Sequence, residues 1–355
     1  MEYQTHHANP ASVNSRNIAQ GQLLKRPDIT SVVIFRALQL GDMLCSVPAL
    51  RALRAALPAA HITLVGLPWA QQFADRFKRY IDEFIAFPGH PAFSEQPVQP
   101  ALLHDFYQTM RSRRFSLALQ MHGSGEVSNG IVKDFDAQLT AGYASPDADN
   151  GYPGFYRLPY PDHGPEPLRL LDFVTELGAP FMGTQLEFPL TAQDWDELKA
   201  SGLGAGLAAH GYLCIHPGAR FRDKCWPPQR FAEIADALAR EFGLAVVLTG
   251  SAKETDLTRA VADCMTTPAI DAAAPISIGA MAALMSEARL LVCNDTGVSH
   301  IAAGLGLNSV VVFSKADITR WAPLASQRHR CIQDAAGDKA HAVLAQARQL
   351  LAGPH

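Results

Sequence analysis

The sequence predicts an α/β protein of two Rossmann-like domains facing each other across a cleft. Short runs rich in Val, Ile and Leu alternate with amphipathic stretches, the pattern of strands and helices in a parallel sheet covered on both faces. The alternation occurs twice, on either side of a glycine-rich segment at 186–211. A length of 355 residues suits two domains of ordinary size, each with its own core.

The first thirty residues read as a polar tail, with His6, His7, Asn9, Asn14 and Asn17 and no apolar signal-peptide core. The first domain, 31–185, opens on a β-branched strand at Ser31–Phe35 and a turn from Arg36 to Asp42. Leu44, Val47, Leu50, Leu53 and Leu57 recur near helical spacing, with Pro48 in the first turn or kinking the helix. Strand His61–Val65, a helix near Trp69–Arg79, strand Glu83–Phe87, helix Pro100–Arg113 and strand Ser116–Met121 follow, then the loop His122–Gly125. Residues 142–167 are rich in Pro, Gly and Tyr and read as a long irregular loop. Helix Leu168–Leu177 closes the domain.

Residues 186–211, with Pro189 and the run SGLGAG, read as the linker. Their Gly-x-Gly precedes a strand, whereas a dinucleotide fingerprint follows one. The second domain, 212–355, reads as strand Tyr212–His216, helix Pro228–Phe242, strand Ala245–Thr249, helices Glu254–Cys264 and Ile276–Ser286, strand Leu290–Cys293 with a helix after it, strand Ser309–Phe313 and helix Lys339–Leu351. Ligands of such sheets bind at the carboxyl ends of strands, which places Asp42, Ser124, His216, Gly250 and Asp295 around the cleft.

Hydrophobic residues make up 48% and charged residues 18%, a globular composition, and the net charge of −4 gives no reason to expect nucleic acid. The six cysteines form no C-x-x-C pair, which suits a reducing cytoplasm. No apolar run approaches the roughly 18–20 residues that span a bilayer. Arg51 with Arg54, and Arg111 with Arg113 and Arg114, are either solvated helix faces or a docking surface for an anionic acceptor or for the cytoplasmic face of the inner membrane.

Four turns after predicted strands carry useful chemistry. Leu40-Gly41-Asp42 puts a carboxylate at a helix start, as an N-cap or as a base. His216-Pro-Gly-Ala219 runs on to Arg220, Arg222 and Lys224, either a solvated basic loop or a phosphate site. Ser251 and Glu254 either cap a helix or present a carboxylate to a ribose. Asn294-Asp-Thr-Gly297 leaves the first N–H groups of a helix facing the turn, an anion site that needs a cation beside it for a diphosphate; the plainer alternative is a capped βα unit with His300 packed one turn in.

Taken in order, these turns resemble glycosyltransferase family 9, the lipopolysaccharide heptosyltransferases. The resembling residues are R-A-L-Q-L-G-D-M-L-x-S-V-P-A-L from Arg36, H-G-S-G followed by Ser128-Asn129, H-P-G-A followed by Lys224-x-Trp226-Pro227, Gly250-Ser251-x-x-Glu254, and Asn294-Asp-Thr-Gly with Ser299-His300. The resemblance implies a GT-B fold and an inverting, metal-independent transfer of a heptose from an ADP-sugar to a lipopolysaccharide-core or related glycan. It implies Asp42 as the base, Lys224 on the diphosphate, Glu254 with Ser251 at the adenosine ribose, and Asp295, Thr296, Gly297 and His300 in the donor turn. Gly41, Ser124 and Arg220 are placed on the acceptor side. No cofactor beyond the nucleotide-sugar substrate is expected. The D-x-D pairs Asp134/Asp136 and Asp147/Asp149 are set aside as metal ligands, since the pattern occurs twice in one chain. A nucleotide-sugar epimerase or hydrolase of the same fold, a non-catalytic nucleotide-sugar-binding protein, and a serine hydrolase built on Ser124, which lacks the G-x-S-x-G spacing, are the competing readings.

Overall fold

All strand pairings in the two six-stranded sheets are parallel. The computed structural model describes residues 21–145 and 154–353; the expected tail up to residue 20 and the pair Asp147/Asp149 lie outside the described residues. Contacts divide the chain into two units. The first gathers the described residues of 21–38, 52–161 and 172–181, and the second those of 39–51, 162–171 and 182–353. The segment holding Asp42 therefore groups with the second unit, across the boundary drawn from sequence.

The first half of the chain runs β1 (Ser31–Phe35), α1 (Leu40–Leu44), α2 (Val47–Ala56), β2 (His61–Gly66), α3 (Gln71–Arg76), β3 (Glu83–Ala86), α4 (Pro100–Ser112), β4 (Leu117–Gln120), α5 (Ser128–Lys133), β5 (Leu139–Ala144), β6 (Phe155–Pro159) and α6 (Glu166–Glu176). Its sheet has the order β3-β2-β1-β4-β5-β6, the doubly wound order in which chain direction across the sheet reverses between β1 and β4. Phenylalanines fill one face: Phe35 meets Phe87 edge-on at 5.0 Å and Phe106 meets Phe135 at 5.9 Å.

Three expectations are corrected here. The single helix to Leu57 is two helices, parted where the Ser46 hydroxyl donates to Met43 O at 2.6 Å, with Pro48 in the first turn of the second. The expected loop at 142–167 holds all of β6, the start of α6 and the end of β5, whose Gly142 lies against the side chains of Gln120 and Asn129. Residues 21–29 are not an exposed tail, because Leu23, Leu24 and Ile29 are buried and Leu24 N–H donates to Leu177 O at 2.9 Å.

The second half runs α7 (Ala192–Ser201), β7 (Tyr212–His216), α8 (Pro228–Phe242), β8 (Ala245–Ser251), α9 (Thr255–Cys264), β9 (Ala269–Ala274), α10 (Ile278–Ser286), β10 (Leu290–Asn294), α11 (Gly297–Leu305), β11 (Ser309–Phe313), α12 (Ile318–Trp321), β12 (His329–Gln333) and α13 (Ala340–Ala352). Counted from its own first strand, the order β12-β11-β10-β7-β8-β9 is the same as that of the first sheet, and the reversal falls between β7 and β10. Trp226, Phe231, Leu238, Val246, Val292, Val310 and Val343 belong to one buried core beneath it.

The segment read as a linker carries α7, which a Thr191–Asp194 capping box starts and Gly202 ends at φ 72°. Glu197 on this helix accepts from Ser277 N–H at 2.6 Å and from its hydroxyl at 2.5 Å, so the helix is fastened to the start of α10. Four of the five arginines read as solvated helix faces or a docking surface are engaged within the chain. Arg51 pairs with Glu187, Arg54 with Asp82 at 2.5 Å, and Arg113 with Glu83 at 2.6 and 2.8 Å, while Arg111 Nε donates to Asp134 O at 3.1 Å. Among the described residues no helix is long and apolar enough to cross a membrane.

Candidate functional site

The reversal between β7 and β10 opens a crevice at their carboxyl ends, and two of the four chemical turns leave from it. Asn294, fully buried at the end of β10, joins them. Its Oδ1 accepts from Trp226 N–H at 2.9 Å and its Nδ2 donates to Pro217 O at 2.7 Å. Only an amide side chain supplies donor and acceptor together at that spacing. Trp226 is held at its far end as well, where Nε1 donates at 2.9 Å to Asp334, which also accepts from the backbone of Gly337, Asp338 and Lys339. The loop carrying Arg220 and Lys224 is thus anchored at its root.

On the other side of the crevice α11 begins at Gly297 with Thr296 as an extended N-cap. Ser299 returns its N–H and hydroxyl to Thr296 O at 3.0 and 2.8 Å, and the first amides of the helix, those of Gly297 and Val298 among them, have no acceptor within it, the arrangement by which a helix start can take an anion. α1 lies directly against this turn. A Cβ on Gly41 would sit 3.0 Å from His300 Cδ2 and 3.3 Å from Gly297 Cα, and one on Gly297 3.2 Å from Gly41 N. The two glycines let backbone meet backbone, which brings Asp42 beside Asp295. Gly41→Ala is expected to push α1 off α11 and, because displacements of about 1 Å at a reacting centre cost on the order of 100-fold, to lower turnover by that order while the melting temperature moves by only a few degrees. Steady-state rates set against thermal melts check it; turnover within twofold of wild type would show that the close approach does not position Asp42.

Two adjoining cavities occupy the site, of about 360 and 220 Å³, and they share Gln39, Gly41, Arg220, Thr296 and Gly297 in their linings. The larger adds apolar Ile276, Ile278, Met281 and Val298 with His216, Ser251 and Glu254. The smaller adds Asp42, Lys224, Asp295 and His300, with the rings of Phe221 and Trp321. Glu254 Oε2 accepts from Ser251 N–H at 2.8 Å and from its hydroxyl at 2.7 Å, and Oε1 lies over Gly218 so closely that no Cβ fits there. The pair forms a capping box, as the first of the two readings has it, and both residues also line the larger cavity. Among the described residues no group of three or more His, Cys, Asp or Glu is placed to hold a metal ion.

Burial sets the charge states. Asp295 rises to about 6, chiefly because its carboxylate is desolvated; Lys224 Nζ at 3.9 Å from Oδ2 opposes the rise and Asp42 adds to it. Burial lowers His300 to about 4, so its ring is neutral near pH 7; its Nδ1 lies 3.9 Å from Cys45 Sγ. Burial likewise lowers His216, against the pull of Glu254, and its Nδ1 is 3.1 Å from Thr249 Oγ1. The cations left to meet an anion are Lys224 and Arg220.

The Asp295 shift has a direction that Asp295→Asn exposes. A carboxyl whose folded pKa lies above its unfolded value holds an extra proton in the folded state between about pH 4 and 6, so its stability contribution is complete below about 4 and is lost as pH climbs through 6. The neutral amide escapes that loss. Asp295→Asn should match wild type below pH 4 and be more stable above pH 6, by up to about 3 kcal/mol. Urea titrations at several pH values read the difference; an advantage that shrinks with rising pH would contradict the assignment.

The family model of glycosyltransferase family 9 (heptosyltransferase) matches residues 103–347, more than half of the chain. The chain belongs to this family. Among curated relatives it is 29% identical over 171 residues to lipopolysaccharide heptosyltransferase 3 of Escherichia coli, a match covering 47% of this chain and 49% of that protein, so the aligned stretch spans about half the relative's length. Among solved structures it resembles the glycosyl transferase family 9 protein of Veillonella parvula, with TM-score 0.77 and 20% identity over 92% of this chain and 98% of that one. It also resembles the E. coli heptosyltransferase WaaC with ADP, with TM-score 0.67 and 18% identity over 90% and 100%. At those identities the structural likeness shows the fold, and it is the GT-B fold expected from sequence.

Within this family 9 chain, Asp42, Lys224, Ser251, Glu254, Asp295, Thr296, Gly297 and His300 all line one or other of the two cavities, and so do Gly41 and Arg220. Ser124 alone of the expected residues lines neither; it lies in the turn after β4, in the first unit. Phe221, Trp321, Gln39 and the apolar group Ile276–Met281 were missed. The signal for Phe221 was present as an aromatic residue in the otherwise charged run RFRDK, whereas Trp321 ends the short helix α12 beside a single charge, Arg320.

Proposed function

We propose that this glycosyltransferase family 9 chain transfers a heptose from an ADP-heptose-type donor to a hydroxyl of a lipopolysaccharide-core or related glycan, with inversion and without a metal ion. The observation that carries the reading is the smaller cavity, where Lys224, the opening amides of α11 and the carboxylate of Asp42 line one space adjoining a larger, apolar-floored one. A nucleoside fits the larger cavity, with its base on Ile276, Ile278 and Met281 and its ribose at Glu254. The diphosphate then meets Gly297, Val298 and Lys224, an arrangement of amides and a cation suited to two phosphates. The sugar is left beside Asp42.

In this reading the Asp42 carboxylate takes the proton of the acceptor hydroxyl as that oxygen attacks the anomeric carbon. The bond from that carbon to the phosphate oxygen breaks, its electron pair leaves with ADP, and the charge gained is met by Lys224 and the α11 amides. Attack opposite the leaving group inverts the configuration. The family match covers Lys224, Glu254 and the 294–300 turn, whereas Asp42 precedes it, so the role of Asp42 rests on geometry and motif. The E. coli relatives support a heptose donor and an ADP leaving group. A protein with this activity would act in the cytoplasm, at the inner face of the inner membrane.

The test is incubation of ADP-heptose with and without a lipopolysaccharide-core acceptor preparation, with products resolved by mass spectrometry. Transfer that requires acceptor and releases one ADP per sugar moved is the expected result. Fast release of free sugar or an epimer without acceptor would favour a hydrolase or epimerase, and binding with no turnover a non-catalytic protein.

A further inference from the structure

Of the large apolar side chains that stand exposed among the described residues, Phe221 alone lines a cavity of the site. A lone exposed ring is ordinary on a protein surface; this one is held in place. Lys224 N–H donates to Phe221 O at 3.0 Å, and the residues that follow the ring are tied down, Arg222 to Asp256 at 2.9 Å, Asp223 to Lys315 at 2.5 Å and Lys224 O to the Ser314 hydroxyl at 2.9 Å, while Asn294 Nδ2 holds Pro217 O at 2.7 Å ahead of it. The Arg220 guanidinium lies 5.1 Å and the Lys224 ammonium 6.0 Å from the ring centroid. A second ring lines the same cavity. Trp321 has the Arg320 guanidinium 4.9 Å from its centroid, and Arg320 is itself paired with buried Glu166 at 3.0 Å.

The small cavity thus combines two carboxylates, Asp42 and Asp295, with two aromatic rings, Phe221 and Trp321. Phosphate has no use for such rings, and a base is served by the apolar residues of the larger cavity. A pyranose needs both elements: its hydroxyls donate to carboxylates, and its C–H face, carrying partial positive charge, lies on the negative face of an aromatic ring. We infer that Phe221, with Trp321, is the platform for the transferred sugar and makes the site select a nucleotide-linked pyranose over the bare nucleotide. The inference rests on the donor reading above and adds to it the residue that reads the sugar.

Calorimetric titration with ADP and with ADP-heptose, on wild type, Phe221→Ala and Phe221→Tyr, tests it. Phe221→Ala should lose about three- to tenfold in ADP-heptose affinity, the order of a ring contact, with ADP affinity unchanged, and Phe221→Tyr should restore it. Because the ring is 51% exposed, its removal leaves the fold intact, which a thermal melt verifies. Equal losses for both ligands, or none for either, overturn the inference while the donor reading stands. Wild-type protein that binds neither ligand overturns the donor reading and the inference with it.

Discussion

Asp42→Asn lowers sugar transfer by about a hundredfold or more while donor affinity stays within about twofold of wild type. The substitution keeps the volume and a hydrogen-bonding oxygen and removes only the capacity to accept a proton. Asp42 lines the cavity that also holds Lys224 and Asp295, and it is close enough to Asp295 to raise that residue's pKa. A base so placed acts on the hydroxyl in the transition state and contributes little to binding the ground state. The loss therefore belongs in kcat, with the donor KM scarcely moved. Asp295 does not substitute, since burial already keeps it partly protonated near pH 6 and it lies 3.9 Å from Lys224. Normal turnover in the Asp42 variant would remove Asp42 from the chemistry.

Lys224→Met has the second large effect and the opposite signature. Its side chain is 31% exposed, its ammonium lies 3.9 Å from Asp295 in the turn before α11, and it lines the same cavity as Thr296 and Gly297. A hydrogen bond to a charged group is worth about 1.5–3 kcal/mol, so donor and ADP affinity should both fall by about ten- to a hundredfold, with a further loss in kcat where leaving-group charge develops. The unliganded protein is harmed less than the loss of an ion pair suggests. Lys224 holds the Asp295 pKa down, so without it that carboxyl titrates still higher and takes up a proton instead of standing as an uncompensated charge. Calorimetry on the variant checks the first part, and a nearly unchanged melting temperature at pH 6 the second. Donor affinity equal to wild type would mean that the phosphates lie elsewhere.

The strands and helices that read best from sequence are those of the second half, where β7, α8 and β11 fall on their expected boundaries. β7 and α8 are an apolar run and an apolar stripe bounded by Gly and Pro, and β11 is an almost wholly apolar run between Asn308 and Ser314, so local pattern and tertiary burial agree. The misses share a physical cause. β9, AIDAAA, has the composition of a helix and is a strand because β8 offers it an edge. β6 and β12 close the ends of their sheets and carry the Pro or charged residues that edge strands tolerate. α7 has too few apolar residues to show a stripe and depends on its caps and on Glu197.

The site was legible in its motifs and not in its division of labour. The Gly-Asp and Asn-Asp-Thr-Gly turns were visible as chemistry, while the packing of Gly41 against His300 and Gly297, which joins the two turns, left no sign in the sequence. That His300 is a buried ring, neutral near pH 7, and also lines the smaller cavity was not legible from its place in the motif. Asn294 drew no role of its own, because a side chain that joins two loops far apart in sequence leaves no local signature.

The most direct measurement is amide hydrogen exchange along the chain with and without saturating ADP-heptose. The account predicts slowed exchange at Thr296, Gly297 and Val298, whose N–H groups would meet the phosphates, together with the loop 217–224. Unchanged exchange at 296–298 under saturation, with protection confined to another surface, would contradict it.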